Sequence, residues 1–259
     1  METAVKFEVR DSVAWVTLNR PESGNSINLQ FGRDLLDAAT RCRGTHGVRA
    51  VVITGAGKAF SFGGDLGAMT MNEGRGREAY LRELTGDLHA AVEAFTRLEC
   101  PVIAAVNGTV AGAAVGLVAM ADLAVAAEGA KFTLAYTGVG LTPDGGTSYF
   151  LPRMLGQKRA MELVLLNRTL TAAEALAWGL VNKVVADAEL QEEVRALAAR
   201  LVAGPAAAYG QAKRLMRSEA SLENQLEDEG RTIAAQSATP EAAEGIAAFL
   251  AKRKPAFPR

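Results

Sequence analysis

Two uninterrupted apolar runs, residues 50–54 (AVVIT) and 102–106 (VIAAV), constrain this chain more than any other feature. A strand with one face in water alternates polar and apolar residues. A strand that is apolar at every position needs cover on both faces, as in a parallel sheet between other layers. Each run leads into a glycine-rich segment (GAGKAFSFGGDL and NGTVAGA) and then into helical periodicity. The order strand, glycine loop, helix recurs without a strict sequence repeat, and it predicts an α/β core.

Other elements follow from period and punctuation. The first 20 residues read as a hairpin, with VKFEV and VAWVTL alternating on either side of Arg10-Asp11-Ser12. From Leu29 a helix places Phe31, Leu35, Leu36 and Ala39 on one face and closes at 44–47, and a second helix is expected at about 80–98. DLAVAAE, KFTLAY and LVNKVV read as strands. In TAAEALAWG, Thr171 and Glu174 form a capping box and Gly179 is the terminator. After Glu189 nearly everything is helical, with Gly204-Pro205 as the main break, so a core of 1–190 and a helical region of 191–259 are expected.

Composition removes several function classes. Lys plus Arg is 28 and Asp plus Glu is 29, a net charge of -1, without the basic excess of a nucleic-acid binder. Cys42 and Cys100 are too few for a disulfide framework or a zinc site, and no metal site is expected. The longest apolar stretch, 110–127, is broken by Gly112, Gly116 and Asp122, so no membrane span is expected. The first residues carry charges and no apolar core of a secretory leader. A soluble, cytoplasmic protein is the expectation.

The glycine loops invite a nucleotide reading, which fails. Gly57-Lys58 is followed by Ala59, not the Ser or Thr of a P-loop, and Phe60 replaces the third glycine of a dinucleotide fingerprint. Two readings stay open for NGTVAGA: close helix–strand packing, or helix N-terminal N–H groups facing a ligand oxygen.

The ordered set NRPESGNSIN, AFSFGGDL, PVIAAVNGTVAGA, KFTLAYTGVGLTPDGGTSYFLPR and LTAAEALAWGLVNKVV resembles the crotonase superfamily, the enoyl-CoA hydratase/isomerase family, over nearly the whole chain. The resemblance implies a spiral of repeated β-β-α units with a helical C-terminal region that packs into homotrimers, often paired as homohexamers. It implies an acyl-CoA thioester as substrate and no cofactor beyond the coenzyme A that the substrate carries. It also implies an enolate-like anion held by two backbone N–H groups, here those of Gly64 and Ala113. Coenzyme A would follow the 21–26 loop, with Ser23 and Ser26, and the segment Phe62, Gly63, Gly64, Asp65, Leu66 and Gly67. Lys252 matches a family lysine that reaches the nucleotide; a solvated tail is the other reading.

This sequence departs from the hydratase pattern at both of its glutamates. Their positions hold Gly116 and Tyr136, and neither can act as a carboxylate. One acid remains nearby, Asp144 in LTPDGG. Pro-Asp-Gly is a common turn, but the segment also resembles the isomerase branch, in which an aspartate there moves a proton. His89 together with Asp144 resembles the chlorobenzoyl-CoA dehalogenase branch, in which the aspartate attacks an aryl carbon and the histidine activates water. In that branch Tyr136 and Gly64 each replace a different aromatic residue. The leading expectation is an enoyl-CoA isomerase. A hydrolase with Asp144 as nucleophile, a weak hydratase and a non-catalytic acyl-CoA binder are the alternatives.

Lesser expectations complete the reading. Tyr136 either hydrogen-bonds Asp144 or fills the space of the missing glutamate. Trp15 and Trp178 are expected in the core, and His46 in an exposed loop. Met69 and Met71 are expected to line an adaptable acyl pocket, with residues 70–78 as a mobile wall or a plain surface loop.

Overall fold

Both apolar runs become strands with a neighbour on each edge. The computed structural model describes residues 3–72 and 74–258. Its strands are β1 (Val5–Arg10), β2 (Val13–Leu18), β3 (Ala50–Gly55), β4 (Ala59–Ser61), β5 (Val102–Val106), β6 (Thr109–Ala111), β7 (Leu123–Ala127), β8 (Lys131–Thr133), β9 (Leu170–Thr171) and β10 (Lys183–Val185). Its helices are α1 (Leu29–Gly44), α2 (Leu66–Thr70), α3 (Arg75–Thr96), α4 (Ala113–Met120), α5 (Thr147–Leu155), α6 (Gln157–Leu166), α7 (Ala172–Trp178), α8 (Leu190–Val202), α9 (Ala206–Met216), α10 (Leu222–Ser237) and α11 (Pro240–Leu250).

The strands form two sheets, ordered β1-β2-β3-β5-β7-β10 and β4-β6-β8-β9. The β1–β2 hairpin is antiparallel, and every other pairing in the larger sheet is parallel. Successive pairs β3–β4, β5–β6 and β7–β8 each put their first strand in the large sheet and their second in the small one. Helices follow each pair, so the chain winds as a spiral of β-β-α units. β5 is buried at all positions, as its sequence requires. One core lies between α1, α3, α4 and one face of the large sheet, with Phe31, Leu35, Leu88, Phe95 and Leu117 within it. A smaller core under α8 covers the other face through Val52, Ile103, Val125 and Val194.

The tail is tied down electrostatically as well as by packing. The Lys213 ammonium and the Arg217 guanidinium meet the Asp122 carboxylate at 2.7 and 2.8 Å, joining α9 and the residue after it to the start of β7. In α7, the Thr171–Glu174 capping box is present and Gly179 ends the helix at φ +85°.

Several sequence expectations are corrected. The helix expected at about 80–98 begins at Arg75 and ends at Thr96, because the glycine-containing segment before Tyr80 is itself helical. The strand expected over KFTLAY stops at Thr133, since Ala135 takes φ +55°, which no regular strand accommodates. Trp15 and Trp178 are half-buried, not core residues. Arg10 lies over Trp15, and Arg159 and Arg168 lie over Trp178 at 5.1 and 5.0 Å. Met69 is buried, whereas Met71 is 86% exposed. Of the expected mobile wall, Glu73 lies outside the described residues, and the rest is helix and turn.

Candidate active site

The site forms where the segments after β4 and β6 touch. A Cβ on Gly63 would stand 2.5 Å from the Ala111 carbonyl oxygen and 3.2 Å from the Gly112 Cα. Only glycine lets these two backbones approach so closely. The contact brings Gly64 and Ala113 to the wall of one cavity of about 230 Å³, with Ile27, Met69, Leu84, Leu88 and Leu134 among its apolar lining.

Both amides are available there. Ile27 donates to the Gly63 carbonyl at 2.7 Å and accepts from the Asp65 N–H at 2.9 Å. The Gly64 N–H between them meets no acceptor among the described residues. Ala113 is the first residue of α4, and its N–H is one of the donors that a helix leaves unbonded at its start.

Tyr136 and Asp144 enter the same cavity. The positive φ of Ala135 breaks the strand direction and turns Tyr136 inward, at a cost typical of backbone strain stored in functional sites. The Tyr136 hydroxyl donates to Asp144 Oδ1, so of the two readings of this tyrosine the hydrogen bond holds. Burial pushes the Asp144 carboxyl above the ordinary carboxylate range, against the Tyr136 hydrogen bond and the influence of His89, which favour the anion. Burial and the facing carboxylate push the Tyr136 phenol upward too, so it stays protonated as a donor.

His89 reaches the site from α3, but its ring has a structural partner. Nε2 accepts the Gly145 N–H at 3.2 Å, which commits that lone pair to the turn carrying Asp144. The ring itself is exposed. Its place fits an anchor of the Asp144 turn better than a free base.

Gly116 shows why the missing glutamate is more than a deletion. A Cβ there would lie 1.9 Å from the Gly145 carbonyl oxygen. The Asp144–Gly145–Gly146 turn therefore occupies the space that any side chain at 116 would need. Sequence reasoning found the substitution but not this packing. The complementary signal was the paired glycines after Asp144.

The residues expected along the coenzyme A track divide. Phe62 and Leu66 are exposed and line the cavity. Asp65 caps α2 through the Ala68 N–H at 3.1 Å and pairs with Arg20 at 3.1 Å. Burial opposes ionisation of Asp65, but these bonds outweigh it and hold the carboxyl below its usual range. Ser26 is buried, its hydroxyl 3.3 Å from Arg20, and the Ser23 hydroxyl donates to the Arg20 carbonyl. Arg20, which the sequence did not single out, organises this loop. Gly67 is exposed on α2 and, unlike Leu66 and Met69 of the same helix, does not line the cavity. Lys252 lies in an exposed turn after α11 and does not line the cavity. Among the described residues, no cluster of His, Cys, Asp and Glu is placed to hold a metal ion, and no helix is long and apolar enough to cross a membrane.

The model of a family described as enoyl-CoA hydratase/isomerase matches residues 8–259. The chain belongs to the enoyl-CoA hydratase/isomerase family. A Rhodobacter capsulatus relative named "Probable enoyl-CoA hydratase" is 38% identical over 255 residues, covering 98% of this chain and 97% of its own. The 1,2-epoxyphenylacetyl-CoA isomerase of Escherichia coli is 36% identical, with 96% of each chain covered. A 4-chlorobenzoyl coenzyme A dehalogenase from Arthrobacter is 35% identical, covering 96% of this chain and 91% of its own. The crystal structure of an enoyl-CoA hydratase from Mycobacterium smegmatis superposes with a TM-score of 0.92 at 35% identity, covering 99% of both chains. The spiral of β-β-α units is thus the crotonase fold of this family. Its members here include a hydratase, an isomerase and a dehalogenase by name, so the reaction has to be argued from the side chains in the cavity.

Proposed function

We propose that this enoyl-CoA hydratase/isomerase family enzyme is an isomerase that shifts a double bond in an acyl-CoA thioester. One observation carries the reading: among the described residues lining the cavity, Asp144 is the only carboxylate. The two hydratase glutamate positions hold Gly116 and Tyr136. In a 3-enoyl thioester, the Asp144 carboxylate takes a proton from C2 and the electron pair moves onto the thioester oxygen. The Gly64 and Ala113 N–H groups stabilise that oxyanion; one such donor typically contributes about 3–4 kcal/mol. The enolate then reforms the carbonyl, the double bond moves to C2–C3, and Asp144 returns the proton at C4. A single base with a raised pKa suits both removal and return of the proton. Incubation with a 3-enoyl-CoA should yield the conjugated 2-enoyl-CoA, identified by chromatography and its ultraviolet absorbance. Unchanged substrate after prolonged incubation with several chain lengths would defeat the reading.

The hydrolytic alternative has one point in its favour, the His89–Asp144 neighbourhood. Against it stands the Nε2 lone pair, already given to Gly145. An aryl ester on Asp144, trapped with release of halide during turnover of a haloaroyl-CoA thioester, would favour the hydrolase instead.

Tyr136→Phe removes the hydroxyl donor on the carboxylate. Asp144 works deprotonated, so activity falls as pH drops through its raised pKa. Loss of a bond that favours the anion raises that pKa further. The acid limb of the rate profile should therefore move to higher pH, and the plateau rate should fall about tenfold, the scale of one hydrogen bond worth about 1.4 kcal/mol. An acid limb displaced to lower pH would contradict this arrangement.

The assembly is part of the same proposal. Leu222, Leu226, Ile233, Ile246, Phe249 and Leu250 on α10 and α11 are all more than half exposed in the single chain. Apolar surface of this extent calls for a partner, and a homotrimer or homohexamer would cover it. Light scattering should give three or six times the chain mass, and a monomer at micromolar concentration would refute this.

A further inference from the structure

Asp144 lies on the wall of two cavities, not one. Besides the acyl cavity, it borders a second cleft of about 570 Å³, shared with His89, Glu93, Thr96, Gly146, Ser148 and Phe150. Tyr136 takes up Oδ1, while Oδ2 accepts no hydrogen bond from the described residues and is not one of the buried unpartnered polar atoms. That oxygen therefore keeps access to solvent. His89 and Ser148 are exposed at the cleft, so its walls open to water. With an acyl group filling the front cavity, this cleft is the way that remains between Asp144 and solvent. The imidazole does not relay the proton through Nε2, because the Gly145 N–H occupies that lone pair.

We infer that the rear cleft is a proton-exchange path: the proton that Asp144 holds between C2 and C4 exchanges there with water. The exchange needs no further reactant, since a carboxylic acid proton passes to water and another returns. The inference rests on Asp144 being the base of the proposed isomerisation. It predicts that isomerisation is accompanied by solvent wash-in rather than by complete internal transfer.

The test is isomerisation of a 3-enoyl-CoA in heavy water, with deuterium at C4 of the product measured by mass spectrometry at low conversion. The wild-type enzyme should incorporate deuterium in a large share of turnovers. Ser148→Trp, which fills the cleft from α5, should lower that share at least threefold while kcat stays within about twofold. Thr96→Phe fills it from α3 and serves if the tryptophan variant does not fold. Normal isomerisation by the wild-type enzyme without deuterium in the product would overturn the inference. So would unchanged incorporation in a folded cleft-filling variant. Asp144→Asn separates the two levels: undiminished isomerisation by it would remove the base assignment itself, whereas loss of activity leaves the cleft to be judged by the wash-in.

Discussion

Asp144→Asn should lower isomerisation of a 3-enoyl-CoA by a factor of about a hundred to ten thousand, the usual worth of a positioned general base. The amide nearly matches the carboxylate in shape but cannot take the C2 proton. The amides of Gly64 and Ala113 and the apolar lining are untouched, so affinity for the thioester should hardly change. Steady-state kinetics beside calorimetric binding of a saturated acyl-CoA would show the split. A variant that binds ten times more weakly yet turns over normally would assign Asp144 to binding and not to proton transfer. The Tyr136 hydroxyl would then be facing a structural acceptor.

Gly116→Ala should be nearly as damaging, although it adds one methyl group far from any ionisable atom of its own. That methyl would lie 1.9 Å from the Gly145 carbonyl oxygen, so the Asp144 turn or α4 must move. Overpacking of this kind typically costs about 1–3 kcal/mol. A displacement of about 1 Å at a catalytic group can cost about a hundredfold in rate. Urea unfolding and the kinetics of the same preparation should show both losses. Gly86 is the control: it lies in α3 with nothing within 4 Å of its Cβ position, so Gly86→Ala should be neutral or stabilise by up to about 1 kcal/mol. Gly116→Glu should not create a hydratase, because the Asp144 turn fills the space the glutamate would enter. Full activity and stability in Gly116→Ala would mean that the turn yields freely and that Asp144 is not held by this packing.

These residues also mark how far the sequence could be read. The buried strands were legible because residues 50–53 (AVVI) and VIAAV have no polar position for water to claim, and α7 because Thr171, Glu174 and Gly179 carry their own start and stop. The cavity residues Gly64, Ala113 and Asp144 were legible only through the resemblance, since glycine loops and a Pro-Asp-Gly turn are common without it. What stayed hidden was three-dimensional. The break at Ala135 runs against the strand character of its neighbours, because Tyr136 needs a direction that a continued strand would not give. The Gly116–Gly145 contact joins residues far apart in sequence, and no local pattern announces it. The resemblance gives His89 the part of a base, yet the Gly145 amide decides what its ring nitrogen does. Arg20 escaped notice because an arginine beside a proline turn carries no signal of the Asp65 and Ser26 partners that it finds on folding.

The central claim is that one half-buried carboxylate, Asp144, moves a proton where a hydratase would use two to direct water. The most direct test compares two rates on one preparation: conversion of a 3-enoyl-CoA to the 2-enoyl-CoA, and addition of water to the 2-enoyl-CoA. Isomerisation should exceed hydration at least a hundredfold and should collapse in Asp144→Asn. Hydration as fast as isomerisation, and undiminished in Asp144→Asn, would contradict the claim, since water would then be activated by a group other than Asp144.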